Sequence, residues 1–248
     1  KSMIGIRLLK NTDGFMKLSI IIPVYNEKNT LEKILERVEK VKVEGIKEKE
    51  VVLVDDFSTD GTKDILRGFN FPHYKIFFHE KNQGKGAAVK TGFSQATGDI
   101  VLIQDADLEY NPEDYPLLLK PILSGQAEVV YGSRFLKPGQ NKTIYRHGYL
   151  FSQALNKMSN FLNGLSLSDM YTCYKVFSKK SMEKIHPRLR SKRFGIDPEL
   201  TAWTVKFNFK IQEVPISYQG RTYAEGKKIN WKDGLAAIWH IIRFNLFL

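Results

Sequence analysis

The sequence of 248 residues contains a single cysteine, Cys173. That excludes an internal disulfide and suits a reducing compartment. No apolar run approaches the roughly 20 residues that a bilayer-spanning helix needs, and no signal-type hydrophobic segment opens the chain. The five histidines show no metal-ligand spacing. Neither a Walker loop nor a G-x-G-x-x-G is present, which removes the two commonest phosphate-binding loops. Repeats and low-complexity tracts are absent as well. Acidic residues are in deficit, 27 against 38 lysines and arginines, for a net charge of +11. An anionic partner follows, whether phosphate, nucleic acid or an acidic membrane face. A cytoplasmic chain, at most peripheral to the membrane, is the expectation.

What is present is organised around Ile100-Val101-Leu102-Ile103-Gln104-Asp105-Ala106-Asp107. The apolar run is short, rich in β-branched residues and bounded by Gly98 and Pro112, so it reads as a buried strand. Alternation along a strand points Asp105 and Asp107 the same way, placing two hard oxygen ligands together. In open α/β sheets, ligands sit beyond the carboxyl ends of the strands.

The same pattern occurs earlier in the chain. Leu18 to Pro23 forms a first strand running into Val24-Tyr25-Asn26-Glu27. Asn29-Thr30-Leu31-Glu32 then supplies an N-cap with an acid at the third helical position, and Leu31, Ile34, Leu35 and Val38 share one helical face. Glu50 to Val54 is a second strand ending in Asp55-Asp56, and Tyr74 to Phe78 a third. Gly84-Lys85-Gly86 opens the next helix and reads equally as helix-start punctuation or as a phosphate contact. Strand and helix alternate up to residue 104, the signature of a mostly parallel α/β sheet covered on both faces. Asn111-Pro112-Glu113-Asp114 starts a helix. A strand from Glu128 to Tyr131 leads into Gly132-Ser133-Arg134, and a helix covers about Tyr149 to Leu162.

The last third predicts a loop into a strand over Ser168–Phe177, a helix over Pro198–Phe207 and a strand over Ile211–Tyr218. Gly220 to Lys228 has the composition of a mobile loop that seeks phosphate. Residues 1–15 match no element and read as an arm or tag remnant before a domain over 16–230. A C-terminal amphipathic helix covers 231–248, with Leu235, Ile238, Trp239, Ile242 and Leu246 on one stripe. Ile241, Phe244, Phe247 and Leu248 widen that stripe. It reads equally as core packing, a dimer contact or a membrane-surface helix flanked by Lys227, Lys228, Lys232 and Arg243.

Acids or polar groups at three parallel strand ends converge on one crevice, where crowded carboxylates repel unless a cation lies between them. Mg2+ or Mn2+ commonly takes one or two carboxylates together with substrate phosphates, which points to a nucleoside diphosphate.

Pro23-Val24-Tyr25-Asn26-Glu27, Val54-Asp55-Asp56, Asp105-Ala106-Asp107 and Gly132-Ser133-Arg134, in this order, resemble the family 2 glycosyltransferases of GT-A fold. With Ser168-Asp169 and Gly220-Arg221-Thr222-Tyr223, the resemblance narrows to the polyprenyl-phosphate (dolichol-phosphate) mannose or glucose synthases. It implies a Rossmann-like sheet and an inverting transfer from a UDP- or GDP-hexose to a polyprenyl phosphate. Pro23, Tyr25 and Glu27 would line the nucleoside pocket, with Asp55 or Asp56 on base or ribose and Lys85 and Ala106 in the donor site. Asp105 would touch the ribose or the metal, Asp107 the metal, and Glu109 would join them where such synthases often carry Gln. Arg134 would meet the acceptor phosphate, with Arg146 and Arg221 as further candidates.

A lipid phosphate is anionic at neutral pH and needs no general base. A hydroxyl acceptor, on a saccharide or glycolipid, would want a carboxylate such as Asp169 or Asp197. A nucleotidyltransferase would show a glycine-rich basic loop after the first strand, where Val24-Tyr25-Asn26-Glu27 stands. A non-catalytic basic module binding membrane or nucleic acid would explain the charge and not the acids, and no nucleic-acid partner is expected.

Overall fold

The computed structural model describes residues 15–136, 146–221 and 231–247. The expected N-terminal arm up to residue 14, the stretch 137–145, the loop 222–230 and Leu248 lie outside the described residues, as do the side chains of Arg146 and Lys232.

Seven strands form one sheet: β1 (Met16–Val24), β2 (Ile46–Asp55), β3 (Tyr74–Phe78), β4 (Ile100–Ile103), β5 (Val129–Ser133), β6 (Lys175–Ser178) and β7 (Ile211–Pro215). Their spatial order is β3-β2-β1-β4-β6-β5-β7. All neighbours pair in parallel except β6, which runs antiparallel to both β4 and β5. One reversed strand has a consequence for the site. The carboxyl ends of the other six lie along one edge, and the loop entering β6, residues 169–174, arrives at that same edge.

The helices are α1 (Leu31–Lys40), α2 (Thr62–Gly68), α3 (Lys85–Gln95), α4 (Tyr115–Leu123), α5 (Arg146–Asn163), α6 (Lys179–Ile185), α7 (Ile196–Lys206) and α8 (Trp231–Leu246). On α1, Leu31, Ile34, Leu35 and Val38 are the buried residues, as their spacing requires. The expected N-cap does not form, because the Thr30 hydroxyl turns back to the Glu27 carboxylate, 2.7 Å away. Asn111 does cap, its side chain accepting from the Glu113 amide before α4. The helix α6 has no counterpart in the sequence reading: its seven residues are too few to show a period. The strand expected to reach Tyr218 ends at Pro215, and Tyr218 returns only as an isolated bridge to Tyr110.

The core is built on β1, β2 and β4, whose inner residues are almost wholly buried, as strands covered on both faces must be. Packing of α3 on β1 is tight enough to demand glycine: a Cβ on Gly92 would lie 2.2 Å from Ile21 Cγ2. A smaller apolar cluster joins α5, α8 and the loop before β6 through Leu155, Met170, Ala237 and Ile241. The stripe read on α8 is divided by this packing. Ala237, Ile241 and Phe244 face inward, while Leu235 and Trp239 stay more than half exposed, at 59% and 57%. No helix among the described residues is long and apolar enough to cross a membrane.

A cavity of about 510 Å³, lined by Lys17, Glu48, Glu50, His73 and Lys75, lies at the amino-terminal edge of the sheet, away from the acidic strand ends. Its buried anchor is Glu50. Burial alone would raise this carboxyl, but hydrogen bonds from Ser19, Thr97 and Lys75 outweigh burial and bring it down from 4.5 to about 2. A depressed carboxyl contributes stability that is present above its ordinary value and lost as pH falls through the folded one. Glu50→Gln is therefore expected to destabilise the protein at pH 7 and to flatten the loss of stability between pH 4.5 and 2, read by denaturant titration across that range. An unchanged acid limb would remove Glu50 as its source.

Candidate active site

The site is the crevice at the carboxyl edge, and the loop after β1 forms its first wall. Asn26 takes a left-handed backbone, φ 52°. Its amide donates to Ser58 Oγ, its side-chain oxygen accepts from the Thr59 amide, and the Glu27 amide donates to Thr62 Oγ1. These bonds stitch the loop after β1 to the loop after β2. Tyr25 is exposed at the rim, Pro23 is half-buried and Glu27 is buried.

Asp55 ends β2 and Asp56 follows it, and the two carboxylates meet different partners. Asp56 accepts from the amides of Gln83 (2.8 Å) and Gly84 (2.6 Å) and from His79 Nδ1 (2.7 Å). His79 in turn meets Thr91 Oγ1. Asp56 is thus committed to building the turn into α3, where Gly84 sits at φ 96° and a Cβ would meet the Lys192 carbonyl at 2.5 Å. Asp55 Oδ2 accepts from the Ser58 amide, while Oδ1 is buried with no partner among the described residues. A buried acceptor without a donor calls for an explanation, and a ligand N–H or O–H supplies one.

At the β4 end, Gln104 takes hydrogen bonds from Tyr115 (2.8 Å) and Tyr174 (2.7 Å) on one side and gives one to the Asp105 carbonyl on the other. It fixes the strand end that carries the acids, a role the sequence reading did not assign. The Asp105 carboxylate meets Lys85 Nζ at 2.7 Å. Burial opposes the Lys85 charge, but Asp105, Cys173 and Asp197 hold its ammonium above its ordinary value. Ala106 is buried between the two acids. Asp107 is pushed up to about 8, first by burial and then by the charges of Asp105 and Glu109, with Arg221 opposing. Carboxyls crowded in this way suit a divalent cation, which takes the place of the proton.

Leu108 follows with a left-handed backbone, φ 66°. Glu109, expected beside Asp107 as a metal ligand, has its carboxylate engaged by Tyr218 Oη (2.8 Å) and the Arg221 amide (2.8 Å). Among the described residues no group of three or more His, Cys, Asp or Glu is placed to hold a metal. Asp105 and Asp107 remain, a number that fits an ion completed by phosphate oxygens.

The third wall comes from β5 and the loop before β6. Arg134 meets the Asp169 carboxylate with two nitrogens, Nε at 2.7 Å and one terminal nitrogen at 2.8 Å, and its amide donates to the same group. The guanidinium lies between the rings of Tyr218 and Phe135, 5.1 and 5.4 Å from their centroids. Asp169 is fully buried, and Glu213 on β7 holds its loop by accepting from the amides of Ser168 and Asp169. Asp169, expected in the catalytic set, therefore sits behind Arg134 and orients it. Asp197 pairs with the wholly buried Lys175 at 2.5 Å. Arg221, expected at a phosphate, bridges Glu27 and the Asp107 carbonyl.

A mostly parallel sheet with a carboxylate pair at the end of a central strand, facing a second acidic strand end, defines the GT-A class of fold. The same class is met in glucosyl-3-phosphoglycerate synthase from Mycobacterium tuberculosis, solved with Mn2+, uridine diphosphate and glucosyl-3-phosphoglycerate. The two superpose with a TM-score of 0.70 at 18% identity over 99% of this chain and 86% of that one. Within the class, residues 19–186 match the model of glycosyl transferase family 2, and the chain belongs to that family. It is a glycosyltransferase.

Among its relatives, a dolichol-phosphate mannosyltransferase from Pyrococcus furiosus is 37% identical over 134 residues, 53% of this chain and 37% of that longer protein. An undecaprenyl-phosphate mannosyltransferase from Micrococcus luteus is 29% identical over 94% of this chain and the whole of that one.

Proposed function

We propose that the protein is an inverting, metal-dependent hexosyltransferase that takes its sugar from a nucleoside diphosphate and delivers it to a polyprenyl phosphate. The observation that carries this reading is the Asp105–Asp107 pair, crowded and partly buried at the β4 end, on the same edge as Asp55 Oδ1, which has no partner among the described residues. Mg2+ or Mn2+ held by Asp105 and Asp107 would supply Lewis-acid stabilisation of the departing diphosphate.

The chain's own groups then divide the work. Asp55 Oδ1 accepts from the base or ribose, and Lys85, anchored on Asp105, lies beside the diphosphate. Arg134, fixed in its rotamer by Asp169 and the two flanking rings, presents a cation to the acceptor phosphate.

The protonation chemistry favours a phosphate acceptor over a hydroxyl. A hydroxyl nucleophile needs a base within reach. The two carboxylates considered for that task are taken: both oxygens of Asp169 accept from Arg134 in a closed environment, and Asp197 is tied to the Lys175 ammonium. A phosphate monoester arrives already ionised and attacks the anomeric carbon without one. Single displacement inverts the configuration there. The names of the two mannosyltransferase relatives support the same acceptor. So do the exposed Leu235, Trp239 and Leu246 on α8 and Leu150 and Phe161 on α5, which give a peripheral protein an apolar face toward lipid.

The test has two stages. Calorimetry with UDP and with GDP, each with and without Mn2+, should show nucleotide binding that requires the ion. Nucleoside diphosphate should then be released from a UDP- or GDP-hexose on adding a polyprenyl phosphate. Metal-independent binding would sink the ion assignment. Release with a saccharide acceptor and none with the lipid phosphate would sink the acceptor assignment.

A further inference from the structure

The turn that carries Asp107 is held by a segment more than 100 residues away. Arg221 Nε donates to the Asp107 carbonyl at 2.8 Å, and a terminal nitrogen of the same guanidinium donates to that oxygen as well. The other side of the guanidinium is fixed on Glu27, at 2.8 and 3.3 Å. The Arg221 amide and the Tyr218 hydroxyl take the two oxygens of Glu109, and the Gln219 amide donates to the Glu109 carbonyl at 2.9 Å. Ser217 is tied in the same direction, through Asp114. Residues 217–221 are thus fastened along 107–114.

Between the held groups sits Leu108 at φ 66°, a conformation in which an L side chain with a Cβ crowds its own backbone. Such a residue persists only where the surroundings over-determine it. The peptide before Leu108 is pinned by Arg221 and the peptide after Glu109 by Gln219, and between them the Glu109 amide closes the turn on Asp107 Oδ1 at 3.1 Å.

We infer that Arg221, with Tyr218, is a positioning residue that keeps the Asp107 turn in its left-handed form and so sets the direction of the carboxylate that takes the ion. The inference rests on the metal reading proposed above. It makes the strained turn and its clasp one device: without the clasp Leu108 relaxes to an ordinary negative φ and Asp107 swings away from Asp105.

A purely electrostatic role for Arg221 gives the opposite sign. A cation next to a bound cation repels it, so removing the guanidinium would tighten metal binding. Removing a clasp loosens it, by about 10–100-fold where an outer partner of a metal ligand is lost.

The experiment is a titration of Mn2+ into the full chain with saturating UDP and, in parallel, with saturating GDP, free Mn2+ being read by electron paramagnetic resonance and the variants compared with the nucleotide that supports binding in the unmutated chain. The variants are Arg221→Ala, Tyr218→Phe, and Arg221→Ala combined with Leu108→Gly, with Glu50→Gln as a destabilised control away from the site. Arg221→Ala should weaken Mn2+ by at least about tenfold, and Tyr218→Phe by less. Glu50→Gln should keep the wild-type affinity. Leu108→Gly should return most of the loss, since glycine adopts the left-handed backbone unaided.

Unchanged or tighter Mn2+ binding in Arg221→Ala would overturn the clasp, and so would a loss that Leu108→Gly does not reduce. Wild-type protein that binds no Mn2+ would overturn the functional reading beneath it, and that measurement on the unmutated chain tells the two failures apart.

Discussion

Asp107→Asn is expected to lower turnover by on the order of a thousandfold while raising the melting temperature of the metal-free protein. The first effect follows from the ion's task. Charge stabilisation worth several kcal/mol is lost when one of two carboxylate ligands becomes an amide, and about 4 kcal/mol is a thousandfold in rate.

The second effect comes from the same carboxylate. Its folded value of about 8 lies above the ordinary 3.8, so the folded state holds this proton more tightly than the unfolded chain does. Stability on that account is greatest below 3.8 and declines as pH rises toward 8. At neutral pH the metal-free fold must keep this group protonated where the unfolded chain would let it ionise, and asparagine removes that cost. Relief of 1 kcal/mol raises Tm by about 2–4 °C in a protein of this size. Activity assays with Mn2+ and thermal melts in chelator test both halves. Near-wild-type turnover, or a variant that melts lower than wild type at pH 7 and above, would refute the placement of Asp107.

Asp169→Ala should be the most destabilising change in the site, costing about 3–5 kcal/mol. The loss is larger than that of a surface ion pair because neither partner can turn to water. Asp169 is fully buried, and the Arg134 side chain keeps only 14% of its exposure. Deleting the acid takes two hydrogen bonds from the guanidinium between Tyr218 and Phe135 and a third from the Arg134 backbone amide. Denaturant unfolding measures the cost. Arg134→Lys is the informative partner. It retains a charge and not the two-pronged geometry, so acceptor-dependent turnover should fall further than stability does. A loss of less than 1 kcal/mol in Asp169→Ala would show that the pair is not what holds this wall.

The succession of elements was legible because it depends on local pattern. The short apolar runs Ile20-Ile21-Ile22, Val51-Val52-Leu53-Val54 and Ile100-Val101-Leu102-Ile103 became the centres of β1, β2 and β4, and the spacing of Leu31, Ile34, Leu35 and Val38 gave α1 its buried face. Reversal of β6 was not legible. A strand buried on both faces carries the same residues whichever way it runs, and only its neighbours' hydrogen bonds fix the direction. The stripe on α8 was seen and its division was not, since a broad apolar helix does not record which side meets α5 and α7.

By itself, the sequence determined that this is an α/β protein with acids gathered at strand ends, of a pattern that resembles the family 2 glycosyltransferases. Tertiary structure alone decided what each acid does. Asp56 was drawn into the turn before α3 and Asp55 left with an oxygen to offer. Glu109 went to Tyr218 and Arg221, and Asp169 was closed behind Arg134. The physical reason is that a carboxylate's role depends on which donors reach it, and the donors to Asp56, Asp169 and Glu109 lie from 23 to 112 residues away along the chain. Local spacing places an acid at an edge, but the partner that satisfies it is chosen only when distant segments pack against that edge.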